Sequence, residues 1–109
     1  MQIQRTRGDT LPDVLTVTNT KTKSVVNITG CTFKMTLSTV PDPVDSSTQA
    51  YQLIGSVTDG AKGVVEFTPT EEQADKVGYF YYDIEMVDTY GRKITLVKDT
   101  YLFTQDITK

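Results

Sequence analysis

The chain has 109 residues, of which 38% are hydrophobic and 23% charged, a balance inside the globular range and outside the disordered one. That length suits one domain around one core, and it excludes two compact domains. Eleven basic residues against fourteen acidic ones leave a net charge of -3 with no run of Lys or Arg, which excludes the electrostatic footprint of a nucleic-acid binder. The absence of His removes the usual general base and the commonest metal ligand, so the reading is a non-enzymatic domain that needs no cofactor.

Residues 1–10 carry no sustained apolar phase and read as an amino-terminal arm outside the domain, which then spans 11–109. Within the arm, Arg7-Gly8-Asp9 matches a tripeptide displayed by some integrin ligands. Its plain reading is a turn ahead of Leu11-Pro12. Nor does the arm hold the apolar stretch of a leader peptide, and no segment approaches the roughly 20 apolar residues that span a bilayer, so an unanchored chain without a cleaved signal is expected.

Leu15 and Val17 alternate with Thr16 and Thr18 in a first strand over 13–19; residues 21–24 turn the chain, and Val26 and Ile28 continue inward. Cys31, the only cysteine, excludes an internal disulfide, and its apolar, His-free surroundings predict an inert, packed thiol. Phe33, Met35 and Leu37 then face one way and Thr32, Lys34, Thr36 and Ser38 the other, the half-buried alternation of an antiparallel strand. Pro41 and Pro43 cannot donate ladder bonds, so residues 41–48 read as an exposed loop. Tyr51, Leu53 and Val57 restart the alternation; residues 59–63 make a hairpin turn, and Val65 and Phe67 face inward on the return.

Thr70 followed by Gln73 fits a capping box, predicting one helical turn pinned by Ala74 or Val77. After Gly78, the inward phase passes to Phe80, Tyr82, Ile84 and Met86, while Tyr79, Tyr81, Asp83 and Glu85 face solvent or a partner. Residues 88–92 turn the chain into the last strands, where Ile94, Leu96, Tyr101 and Phe103 are apolar and Lys98-Asp99 reads as a bulge. Phe33, Met35, Leu37, Val65, Phe67, Phe80, Tyr82, Ile84 and Leu96 are the predicted core. About seven short strands at spacings near ten residues with one short helical turn give an all-β, immunoglobulin-like antiparallel β-sandwich, a small barrel being the second choice.

Few residues carry chemistry. Asp83 and Glu85 sit two apart on one strand face, roughly 7 Å, but no other catalytic group assembles around them, so they read as a solvated face. Asp42, Asp45 and Asp59 do not fit the spacing of a calcium loop. Tyr79 and Tyr81, with Tyr51 and Tyr90 near loops, suit either cross-strand packing or a protein contact surface. Arg5 and Arg7 are charge-assisted donors for an acidic neighbour, and Ile3 is a small apolar anchor. With Asp42, Val44 and Asp45 of the loop and Tyr79, Tyr81 and Tyr90, they make up the predicted partner-binding set.

The order Arg7-Gly8-Asp9-Thr10, then residues 26–33 (VNITGCTF), then 63–70 (GVVEFTPT) resembles the amino-terminal domain of tailed-phage baseplate upper proteins. Residues 74–85 (ADKVGYFYYDIE) and 88–96 (DTYGRKITL) continue the likeness, so that it spans nearly the whole chain. The resemblance implies an immunoglobulin-like sandwich, no catalysis, and a structural role in a virion assembled in the host cytoplasm. Its implied partners are other virion proteins contacted in multiple copies, without nucleic acid or membrane. Asn27 stands where that family often has an acidic residue, and Lys98-Asp99 replaces a small turn. A tail, baseplate, neck or capsid-decorating protein is expected, and because no fibre or coiled coil follows, a free-standing neck, tail or capsid-decorating subunit is favoured among these. An adhesion or carbohydrate-binding module, with Tyr79, Tyr81 and Tyr90 stacking on sugar, is the alternative.

Overall fold

The structure, a computed structural model, describes residues 2–106. Period-two alternation becomes eight strands: β1 (Ile3–Thr6), β2 (Asp13–Thr16), β3 (Thr32–Ser38), β4 (Gln49–Ile54), β5 (Ser56–Asp59), β6 (Val64–Phe67), β7 (Gly78–Val87) and β8 (Lys93–Thr104). They form two sheets, one ordered β1-β8-β7-β3-β4 and the other β2-β6-β5. This is an all-β sandwich, as expected. Phe33, Met35, Leu37, Leu53, Tyr82, Ile84, Tyr101 and Phe103 of the larger sheet and Val65 and Phe67 of the smaller belong to one buried cluster. The register explains the layering: Leu37 lies opposite both Tyr51 and Tyr82, and Met35 opposite both Leu53 and Ile84, so each apolar row crosses three strands on one face.

The chain passes from the larger sheet to the smaller at Gly55, between β4 and β5. A Cβ there would lie 2.8 Å from Phe33 Cβ, 2.8 Å from Val65 Cγ2 and 2.9 Å from Phe67 Cε1, so only glycine fits this corner between the sheets. The capping box forms as expected at α1 (Glu71–Ala74): Thr70 Oγ1 accepts from the Gln73 amide at 3.1 Å and Gln73 Oε1 from the Thr70 amide at 2.9 Å. Ala74 is the residue that pins it, fully buried, whereas Val77 is exposed.

Several expectations are corrected. Residues 3–6 are not an outlying arm; β1 pairs in parallel with β8, Ile3 opposite Tyr101 and Arg5 opposite Phe103, because a distant strand edge was open to them. The first predicted strand ends at Thr16, with an isolated bridge between Thr18 and Val25 beyond it. In β8 the irregularity falls at Leu96 rather than at Lys98-Asp99. Ile84 pairs with Val97 and Glu85 with Thr95, so Leu96 is the extra residue and is only half-buried. Phe80 is also half-buried, packing edge-on against Phe103 with ring centroids 5.6 Å apart. Val57 is 37% exposed because β5 is the edge of the smaller sheet.

Candidate interaction site

At the end of β3 the chain meets Pro41 and Pro43, leaves the ladder and folds back over the outer face of β3, β7 and β8. Its base is closed by the Thr39 amide donating to the Thr48 carbonyl at 2.9 Å, and a 3₁₀ turn (Ser46–Thr48) is capped by Asp45 Oδ1 accepting from the Ser47 amide at 2.8 Å. That hydrogen bonding to Ser47 holds the Asp45 carboxyl below its ordinary pKa. Between loop and sheet lies an open cleft of about 580 Å³, with Thr36, Tyr81, Asp83 and Lys98 on the strands and Pro41 and Asp42 on the loop. Lys98 Nζ spans it to Asp42 Oδ1 at 2.9 Å, and this hydrogen bond raises the Lys98 pKa. Asp83 is pushed up by burial and by Glu85, with Lys98 pulling the other way.

Of the predicted partner-binding residues, Asp42 and Tyr81 line this cleft, and Val44 and Asp45 lie on its loop, Val44 being 98% exposed. Tyr79 shares the outer face of β7 with Tyr81 and is largely exposed. Tyr90 is placed elsewhere, in the turn between β7 and β8, with the Arg92 guanidinium 5.1 Å from its ring centroid. This second end of the sandwich has a smaller cleft of about 420 Å³, lined by Cys31, Met86 and Tyr90 among others. Cys31 is therefore half-buried rather than sealed in the core.

The amino-terminal residues part from expectation. Ile3 packs against the core cluster, and Arg5 is 6% exposed. The Arg5 guanidinium donates to the Tyr101 hydroxyl at 2.7 Å, to Asp13 Oδ1 at 2.8 Å and to the Asp9 carbonyl at 2.7 Å, while the Tyr101 hydroxyl donates to Asp13 Oδ2 at 2.5 Å. Arg5 is thus not a free donor for a neighbour but a clasp joining β1 and β8 of one sheet to β2 of the other. Arg7 bonds Asp75 at 2.5 Å and lies 3.8 Å from Asp106, and Asp9 Oδ1 accepts from the Leu11 amide, so the Arg-Gly-Asp side chains are tied into the domain. Sequence reasoning missed the clasp and the Lys98 to Asp42 bridge because both join residues far apart in the chain and neither leaves a local signature.

No family model matches the chain, and no curated protein matches it. Among solved structures the chain is similar to the N-terminal domain of phage TP901-1 ORF48, with a TM-score of 0.55 and 11% sequence identity over 95% of this chain and 85% of that one. At that identity the likeness is one of fold.

Proposed function

We propose that this protein is a non-catalytic structural subunit of a tailed-phage virion that acts by protein contacts. The observation that carries the reading is a sandwich shared, over almost its full length, with the N-terminal domain of a phage protein. The sandwich is read as immunoglobulin-like: β8-β7-β3-β4 corresponds to the GFCC′ sheet of a variable-type domain, and β2-β6-β5 to B, E and D of the opposite sheet. Exposed Val44 and Tyr79, together with the cleft under the loop, supply the contact surface, and the domain itself is the rigid mount. Many copies in a symmetric tail, baseplate, neck or capsid-decorating assembly, put together in the host cytoplasm, complete the proposal.

The test is to purify phage particles through a density gradient and follow the chain by mass spectrometry. It should band with the particles and be released only when they are dismantled. Recovery solely in the unassembled fraction would contradict the reading, and retention on a glycan array would favour the carbohydrate-binding alternative.

A further inference from the structure

We infer that the cleft under the 40–43 loop is a receptor for an arginine side chain of a neighbouring subunit, with the Asp83 carboxylate as its anchor. The inference rests on the virion reading for its partner, not for its chemistry. Asp83 lies directly opposite Lys98 across the β7 to β8 ladder, the arrangement in which a cross-strand ion pair is expected. The pair is not made. Lys98 Nζ reaches instead to Asp42 on the loop, 2.9 Å away. On its other side Asp83 is in register with Thr36, whose hydroxyl accepts from Gln52 Nε2. Asp99, also in the cleft, accepts from the Thr100 amide and is already engaged. Asp83 is thereby left as a half-buried carboxylate whose nearest cation is committed elsewhere.

Such a group favours a ligand that brings donors and positive charge together. Arginine fits better than lysine for a geometric reason. Tyr81 and Asp83 lie on the same face of β7, about 7 Å apart along the strand, so a planar guanidinium can place its paired N–H donors on the carboxylate while its face rests on the Tyr81 ring. Tyrosine and arginine are also the residues most enriched at energetic centres of protein interfaces. The Lys98 to Asp42 bridge fixes one wall of the cleft and engages Lys98 in a direct ion pair with the loop rather than with the anchor.

The full chain, isotopically labelled, should be titrated by NMR with acetyl-Gly-Arg-Gly-amide. The neutral isostere acetyl-Gly-citrulline-Gly-amide and the disaccharide maltose are the comparison probes. Saturable shifts at the amides of Tyr81, Asp83 and Thr100 are expected with the arginine peptide alone. Asp83→Asn should weaken binding about tenfold or more, the size of a lost charge-assisted contact, with the rest of the spectrum unchanged. Asp42→Asn should weaken it too, because it releases Lys98 to occupy Asp83. Equal binding of the citrulline peptide, indifference to Asp83→Asn, or binding of maltose in place of the arginine peptide would each overturn the inference. The titration uses no virion: absence of the chain from particles would sink the proposed function and leave this result standing, and an arginine-blind cleft would do the reverse.

Discussion

Removing Asp13 should be among the most damaging single changes outside the apolar core. Its carboxylate receives Arg5 at 2.8 Å on one oxygen and the Tyr101 hydroxyl at 2.5 Å on the other, and the side chains of the ion pair are only 4% and 13% exposed. In Asp13→Ala the guanidinium keeps its bonds to Tyr101 and the Asp9 carbonyl but loses its countercharge inside the sandwich. Breaking one partner of a buried ion pair costs about 3 to 5 kcal/mol. That is a large part of the roughly 5 to 15 kcal/mol that stabilises a domain of this kind. The double variant Arg5→Met, Asp13→Leu removes both charges and should cost only about 1 to 3 kcal/mol, chiefly through the Tyr101 hydroxyl left unpaired. Equilibrium urea unfolding of the wild type, Arg5→Met, Asp13→Leu and the double completes the cycle, with Asp13→Ala measured beside it, provided the slopes agree. A loss below about 1 kcal/mol in Asp13→Ala, or single-variant losses that simply add, would refute the clasp.

Four further outcomes are expected. Gly55→Ala should destabilise the fold by about 1 to 3 kcal/mol through overpacking, since its Cβ would meet Phe33 and Val65 at 2.8 Å; an unchanged midpoint in urea would show that the sheets part freely there. Phe67→Ala, at a fully buried position, should cost about 3 to 5 kcal/mol in the same assay. Burial raises the pKa of Tyr51 and Tyr101 and pushes Tyr82 up to about 12, so the native state holds protons that the unfolded chain gives up from about pH 10. Stability should accordingly be constant just below about pH 10 as far as these groups are concerned and fall above it, which urea unfolding across that range would check. Deleting residues 1–7 should destabilise the fold itself, since it removes β1 and Arg5; an undiminished unfolding midpoint would mean that β1 is dispensable.

What could be read from the sequence were features written locally. The alternation of Phe33, Met35 and Leu37, and of Tyr82, Ile84 and Met86, determines which face of β3 and β7 is buried, and the Thr70 and Gln73 pair sets the start of α1. Features that depend on pairing across the chain were not legible. A four-residue segment such as residues 3–6 has no intrinsic mark that distinguishes an edge strand from an arm, and its fate is decided by the free edge of β8 some hundred residues later. The bulge at Leu96 follows from how two long strands keep register over their whole length, so Lys98-Asp99, conspicuous for its polarity, misled. Most of the candidate site escaped for the same reason. The loop was legible from its prolines, but not that it folds over Asp83 and draws Lys98 away from it.

The central claim, a virion subunit that works by protein contacts, is tested most directly by a reconstructed density map of the intact phage particle. The account predicts repeated copies of this sandwich at symmetry-related positions, with Val44, Tyr79 and the cleft around Asp83 covered by a neighbouring subunit. A complete map of particles that holds no density for the sandwich would contradict it, and so would copies whose loop and cleft all face open solvent.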